Sequence, residues 1–538
     1  MKKSTLVFSF FILAKFLLQY IAVHPDFELH RDEFLHLDQA RHLAWGYLSV
    51  PPFTSWVSLL IQFLGGGEFW TRLFPAFFGA LTIALVWDLV KRLGGNLFAQ
   101  SLASVALLCS AMIRLNMLYQ PNSVDILCFT LVPYTLIRYF EHKENKWLYG
   151  MALTFALAAL NKYNIAFLGF GLLPALLITK QGSLFSNKHL YYSILLLIVL
   201  ILPNVIWQIN HGFPVLRHME LLKEYQLVNN SRLGFWKDQV LFFFPSLILW
   251  LLGLIYVFTS RKTKKYRFIG WTYIFTMGIF TYLHAKGYYA IGMYPALIAF
   301  GSVWVSQWIP KESNRGKMEG NTPPVVPEMS VTVIQSLFSK KKYLLQTLIL
   351  IIPPVLFSFA FDLIHPFYSP EKILESPPPY SKLGLNTWED GKEYPIPQDF
   401  SDMLGWSELA GLVDEAYAQM PKDGRTLIIC DNYGEAGAIN FYTKTPGLEA
   451  FTMNADYLYW FDLEEPVDNL ILVWMAQEKI TDREINFFEE YKEIGKVTNP
   501  LSREKGTTVH YLRGAKVDVN SILEGEIKEK KQLWEERD

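Results

Sequence analysis

Apolar runs long enough to cross a bilayer, roughly 18 to 25 residues each, recur from the N-terminus to about Ile364, and nothing else restricts the fold as severely. A segment that crosses lipid must satisfy its backbone hydrogen bonds internally, so such runs become helices. Candidate spans lie at about 1–23, 69–90, 97–115, 122–140, 147–161, 163–179, 190–209, 239–259, 268–284, 288–308 and 343–364, which makes about eleven. The first begins with Lys2-Lys3 and lacks a small-x-small cleavage site, so it reads as an uncleaved span. Hydrophobic residues make up 51% of the chain and charged ones 18%, but their distribution decides the class: the last 170 or so residues are charged and mixed. The expectation is a multi-span α-helical membrane domain with a soluble C-terminal α/β domain.

Basic residues orient the spans. With Lys2-Lys3 inside, Lys91-Arg92, Lys143, Lys146, Lys180, Lys188, the stretch from Arg261 to Arg267, and Lys340 to Lys342 all fall on the cytoplasmic side, as the positive-inside rule requires. Losing either short span beside Asn161 and Lys162 would place RKTKKYR outside, so the odd count is preferred. The expected organisation is a membrane domain over 1–364, with a first extracytoplasmic loop at 24–68 and a proline-bearing cytoplasmic linker at 309–342. An extracytoplasmic domain follows over 365–538. In it, strand-like runs (Thr426 to Cys430, Asn469 to Trp474, Thr508 to Leu512) alternate with helix-like ones (Trp406 to Met420, Gly434 to Phe441, Asp482 to Tyr491). A net charge of −1 without a basic cluster beyond the loops between spans gives no reason to expect nucleic acid. Cys109, Cys128 and Cys430 form neither a disulfide framework nor a metal-ligand spacing.

Polar and aromatic residues crowd the outward face. The segment from His24 to Pro52 carries adjacent Asp32 and Glu33, followed by Phe34, Leu37, Leu43, Ala44 and Tyr47 at helical spacing, which reads as a short amphipathic helix on the membrane surface. A carboxylate there can accept a proton from an incoming hydroxyl while its neighbour orients it; the plainer reading is a solvated helix start with acids near the dipole. Asp125 lies about one turn into an outward-starting span, where an ionised group needs a partner or a polar cavity. It either pairs with Arg114 or hydrogen-bonds the loop that carries Asp32. Lys162 and Tyr163 occupy one outward turn, and Lys286, Tyr288 and Tyr289 another. Cations neutralise phosphate and aromatic faces suit a sugar ring; the alternatives are snorkelling lysines and an interfacial aromatic belt. The long outward loop holds His211, Arg217, His218 and Arg232, a cluster suited to a lipid phosphate or simply to water. Asp88 and Arg138 are expected to snorkel at the cytoplasmic side, and Lys15 has no assigned role. In the tail, NYGEAGAINFY after TLIIC offers a glycine-bearing turn to an anion or a tight turn beneath a packed helix.

Together these residues resemble the family 39 glycosyltransferases of the GT-C fold, relatives of dolichyl-phosphate-mannose protein mannosyltransferases and bacterial aminoarabinose transferases. The resemblance rests on RDEFLHLDQARHLAWGYLSVPPFTSWVSLL, on Asp125, on LNKYNIAFLGFGLLPALL, on KGYYAIGMYPALIAFGSVWV, and on DNYGEAGAINFYTKTPG. It implies that Asp32 is the catalytic base with Glu33 completing an acidic pair, and that Asp125 is a second, supporting acid. It implies a polyprenyl-phosphate-linked sugar as donor, its phosphate met by Lys162, Lys286 and nearby tyrosines (Tyr163, Tyr288, Tyr289), with Arg217 a further contributor in the long loop. The expected reaction is transfer with inversion to an extracytoplasmic lipid, glycan or protein, in a multi-pass cell-membrane protein with a cytoplasmic N-terminus. No obligatory metal or other cofactor is expected, and dependence on a divalent ion is left open. HRDEF and VPPF depart from the family pattern, which leaves the acceptor undetermined. A multi-span transporter, with ionisable groups near the bilayer midplane, and a non-catalytic membrane scaffold remain the alternatives.

Overall fold

The computed structural model describes residues 3–179, 181–309, 328–421, 424–476 and 480–535. Each of the eleven apolar runs coincides with helix. In chain order, the α-helices longer than four residues up to Ser358 are α1 (Lys3–Ile21), α2 (Arg31–Asp38), α3 (Phe53–Phe63), α4 (Gly67–Arg92), α5 (Leu97–Leu108), α6 (Asn122–His142), α7 (Lys146–Asn161), α8 (Ile165–Ile178), α9 (Lys188–Asn210), α10 (Pro214–Tyr225), α11 (Arg232–Phe242), α12 (Leu247–Thr259), α13 (Arg267–Tyr282), α14 (Tyr294–Trp308) and α15 (Glu328–Ser358). Among the described residues, five helical stretches are long and apolar enough to cross a membrane by themselves: α1, α4, α6, α9 and Gly287–Trp308. A sixth arises if α11 and the Phe244–Thr259 stretch, bent by 68° at their junction, form one broken span. The run expected at 239–259 is therefore kinked, and that at 97–115 stops at Leu108, where Ser110 hydrogen-bonds the amide of Met112 and starts a separate turn. Most of the expected linker at 309–342 lies outside the described residues, and helix has begun by Glu328.

Glycines set how closely the helices approach. A Cβ on Gly253 of α12 would lie 1.9 Å from the carbonyl oxygen of Leu297 in α14, and one on Gly301 of α14 would lie 1.9 Å from that of Leu249 in α12. The two backbones thus touch, as small residues permit in apolar helix pairs. Gly79 of α4 likewise leaves room for Asn116 and for the stem of Lys15. Lys15, fully buried on α1, donates to Gln19 Oε1 at 2.8 Å, and Gln19 donates to the Asn116 carbonyl at 2.6 Å. The lysine thus braces, from behind, the turn that leads into α6. At the other end of the bundle Asp88 pairs with Arg92 and accepts from Tyr134 Oη, while Arg138 pairs with Glu141 and lies over Trp147.

The tail holds α16 (Trp406–Gln419), β1 (Thr426–Cys430), α17 (Tyr433–Tyr442), β2 (Ala450–Thr452), β3 (Asn469–Trp474), β4 (Phe488–Lys496), β5 (Thr508–Ala515) and α18 (Val519–Glu535). Its five strands run in the order β2-β1-β3-β5-β4, the first three parallel and the last two antiparallel to their neighbours. The helix expected over 482–491 is a single turn, Asp482–Asn486, followed by β4. Pairing with β5 supplies backbone partners that outweigh the helical preference of its Glu and Lys residues.

The helix beginning at Arg31, expected to lay its apolar side on a membrane surface, is buried in protein from Glu33 to Asp38. It is eight residues long, and Phe34, buried completely, meets Trp406 of α16 and Phe441 and Tyr442 of α17. Leu29, Phe34, Leu35 and Leu37 share one core with Val57 and Ile61 of α3 and with Leu409, Ile428, Ile439 and Ile471 of the tail. Of the apolar residues expected to meet lipid, Phe34, Leu37 and Tyr47 are covered by protein, whereas Leu43, beyond the end of the helix, is exposed. Polar ties reinforce the seam: Glu28 accepts from the amides of Trp406 and Ser407, capping α16, whose own N-cap is Gly405. Asp456 accepts from the Leu48 amide and Gln39, and Asp38 from Asn440 and Tyr457.

Candidate active site

The site starts from the capping chemistry of α2. His30 is the N-cap, its Nδ1 accepting from the Asp32 amide at 3.2 Å, and Glu33 closes the capping box on the His30 amide. The other oxygen of Glu33 accepts from the Tyr119 amide, which joins the start of α2 to the turn before α6. Both oxygens of Glu33 are thus held by backbone donors. Burial pushes its proton affinity up, against the pull of those amides and of Arg72.

Asp32 occupies the second position of the same helix and projects away from the box. Its Oδ1 accepts from Tyr433 Oη at 2.7 Å and its Oδ2 from Gln120 Nε2 at 3.0 Å. Burial alone would raise its proton affinity, but His30, the Tyr433 hydrogen bond, Arg31 and His36 outweigh it, and the carboxyl lies below the usual range. The carboxylate is therefore ionised at neutral pH.

From Gln120 a chain of hydrogen bonds runs to Lys162. Gln120 Oε1 accepts from Asn122 Nδ2 at 2.8 Å, and Asn122 Oδ1 accepts from Lys162 Nζ at 2.8 Å. The ammonium lies 4.4 Å from the ring centre of Tyr289 and 5.0 Å from that of Tyr288, within cation–π range. Asp125 stands beside this cation without touching the Asp32 loop. Its Oδ2 accepts from Asn164 at 2.9 Å, and Asn164 also donates to the Tyr289 carbonyl. Arg114 is not its partner either. The guanidinium lies 3.9 Å from Asp399 and packs over Phe400, drawn there by residues that only the returning tail brings near.

Lys286 forms an ion pair with Glu389 at 2.6 Å. Burial disfavours its ammonium, yet Glu389 with Tyr289 and Asp32 raises its proton affinity overall. Glu389 belongs to a hairpin-like turn at 386–396, pinned at its backbone by Asn229. Two expected residues stand apart from this network: Tyr163 is bound to Asn204 and Gln208 of α9, and Arg217 of α10 is half-buried and pairs with Glu220. His218, next to it, is held near 4 by burial and by Lys286. The tail turn at Asn432 takes the plainer of its two readings: Asn432 and Glu435 fill the first donors of α17 with their own capping box. Among the described residues no group of three His, Cys, Asp or Glu converges as a metal ligand set.

Sequence reasoning missed Gln120, Asn122, Glu389 and Tyr433. Gln120 and Asn122 flank Pro121 in an outward turn, and Tyr433 sits inside the NYGEAGAINFY motif, so two of the three regions carried a signal. Glu389 carried none, because the contact that matters is with a residue 103 positions away.

Residues 49–207 match the model of the dolichyl-phosphate-mannose-protein mannosyltransferase family, a stretch that holds Asp125 and Lys162 and begins after Asp32. The fold is similar to that of ArnT from Cupriavidus metallidurans. The apo state aligns with a TM-score of 0.60 at 14% identity, covering 96% of this chain and 98% of that one. The structure bound to undecaprenyl phosphate aligns with a TM-score of 0.57 at 13% identity, covering 95% and 98%. The archaeal oligosaccharyltransferase AglB from Archaeoglobus fulgidus, in complex with an inhibitory peptide and a dolichol-phosphate, aligns at 0.45 and 12%, covering 88% of this chain and 69% of that one. No curated protein matches the sequence. In the sequence of residues 49–207 and in the fold of nearly its whole length, the chain thus shows the resemblance its motifs pointed to, that to the membrane glycosyltransferases of the GT-C type.

Proposed function

We propose that this protein is an integral membrane glycosyltransferase that moves a sugar from a polyprenyl-phosphate donor to an extracytoplasmic hydroxyl with inversion. The acceptor class is a lipid, a glycan or a protein. One observation carries the reading: an ionised carboxylate, Asp32, is joined through Gln120 and Asn122 to a cation, Lys162, flanked by Tyr288 and Tyr289. A base and a phosphate-neutralising charge are thereby set on one face at a short remove. The ArnT structure bound to undecaprenyl phosphate and the mannosyltransferase family match support the donor class.

In this reading the acceptor hydroxyl gives its proton to Asp32 as its oxygen bonds the anomeric carbon. The bond from that carbon to the phosphate oxygen breaks on the opposite side, and the polyprenyl phosphate leaves. Lys162 and Lys286 balance the charge of the departing phosphate, and Tyr288 and Tyr289 bound the space beside it. Glu33 holds the Asp32 helix to the turn at Tyr119, and Asp125 holds Asn164 and the turn that carries Lys162. Tyr163 fixes that turn to α9.

The test is transfer of radiolabelled sugar from a panel of polyprenyl-phosphate donors in membranes containing the protein at matched expression. Asp32→Asn is expected to lower the rate by roughly 10²- to 10⁴-fold, the usual share of a general base. Asp125→Asn is expected to cut it less severely, through misplacement of Lys162. Transfer that survives Asp32→Asn would remove Asp32 as the base.

A further inference from the structure

The two oxygens of Asp32 are held by donors of different origin. Gln120 comes from the membrane domain, while Tyr433 comes from the first turn of α17 in the tail, 401 residues along the chain. Three features aim the Tyr433 hydroxyl. Its ring is stacked under the Arg31 guanidinium, whose carbon lies 4.4 Å from the ring centre. Gly434 makes that stack possible, since a Cβ there would come within 2.5 Å of Arg31 Cγ. Gly437, one turn on, admits Phe34 of α2, whose Cβ would otherwise lie 2.6 Å from a Cβ at this position. The start of α17 is oriented independently by Asn432 and Glu435, so the tyrosine is carried on a preset element.

We infer that Tyr433 is a positioning residue for Asp32, so that the extramembrane domain forms one wall of the reaction centre and is not a cap above it. The inference rests on the reading of Asp32 as the base. A phenol donor holds one carboxylate oxygen and favours the ionised form, which leaves the remaining lone pairs directed at the acceptor. Other charged and titratable groups also face Asp32: His30, Arg31 and His36 on its own segment, Lys286 and Tyr288 at the start of the Gly287–Trp308 stretch, and Glu389 and Asp402 from the part of the tail before α16. Tyr433 is the tail group among them that touches the carboxylate directly.

Tyr433→Phe removes the hydroxyl and keeps the ring under Arg31. The full-length protein in detergent is labelled with a carbodiimide, which attacks protonated carboxyls, and modification of Asp32 is read by mass spectrometry across pH on the monodisperse fraction. The half-labelling pH is expected to rise by about one unit, the loss of one charge-assisted hydrogen bond. In the transfer assay kcat is expected to fall about tenfold, with the donor KM nearly unchanged and the acid limb of the pH profile moved upward. Tyr491→Phe, which removes a tail hydrogen bond to His510 distant from the site, serves as the control and should change none of these. An unshifted labelling curve, with or without a lower melting temperature, would overturn the inference and leave Tyr433 as a seam contact. If Asp32→Asn still transfers sugar, the base reading falls, and the labelling result then stands or falls alone.

Discussion

Asp32 and Glu33 are neighbours of the same chemistry, yet their surroundings divide the work between them. Glu33 spends both oxygens on backbone amides of His30 and Tyr119, whereas Asp32 meets only side-chain donors, each at one oxygen. Glu33→Gln would set an amide NH₂ against one of those backbone donors. It is expected to cost about 1–3 kcal/mol of stability, visible as a lower melting temperature in detergent. Asp32→Asn should melt close to the unaltered protein while losing transfer. Equal melting losses for the two variants would contradict this division. The acidic pair was legible in the sequence, and its resemblance singled out Asp32, but what holds Glu33 was not, because the Tyr119 amide that claims it is 86 residues away.

At the scale of elements, α2 and α17 form the joint on which the site depends. Gly437→Ala would bring a Cβ within 2.6 Å of Phe34 Cβ and 2.8 Å of Tyr457 Oη, an overpacking expected to cost about 1–3 kcal/mol. A melt of the variant should drop accordingly, with transfer reduced at temperatures where the fold still holds. The seam is also sensitive to pH. Burial raises Asp38 to about 6, against hydrogen bonds from Asn440 and Tyr457, and raises Asp456 to about 6, against those from Leu48 and Gln39. A carboxyl raised in the folded state binds protons there more readily than in the unfolded chain. Stability from these two groups is therefore full below about pH 4 and lost as pH rises through about 6. Hydrogen exchange at the Leu48 amide, corrected for intrinsic rate, should show greater protection at pH 5 than at pH 7.5, and Asp38→Asn with Asp456→Asn together should flatten the difference. The surface helix expected at this joint proved to be a buried one, because its apolar stripe, which suits lipid and protein equally, meets the tail.

For the whole molecule, the positive-inside pattern makes a prediction about which side of the membrane each loop occupies. The protein's own cysteines, Cys109, Cys128 and Cys430, are buried and unpaired, so an introduced surface cysteine reports alone. Lys264→Cys is expected to react with a membrane-impermeant maleimide only after the membrane is opened from the cytoplasmic side. Glu529→Cys on α18 is expected to react from outside in sealed cells. Labelling of both from the same side would reject the arrangement in which α18 and the reaction centre share the extracytoplasmic face.

The helices were readable from the chain alone because each apolar run satisfies its backbone internally and needs no distant partner. β1, α17 and β3 were readable for a similar reason, being bounded by local turn and capping signals. The bend between α11 and α12, the strand at Phe488–Lys496 and the fate of the segment at 24–52 were not, since each is decided by what packs against it. The proposed site divides in the same way. Asp32, Asp125, Lys162 and Lys286 stood out as charges at outward turns, a property of composition and position. The tertiary structure decided that Asp32 answers to Gln120 and Tyr433, that Arg114 turns to Asp399, and that Lys286 pairs with Glu389. Hydrogen bonds and ion pairs act over a few ångströms, and here their partners are brought together from opposite ends of the chain.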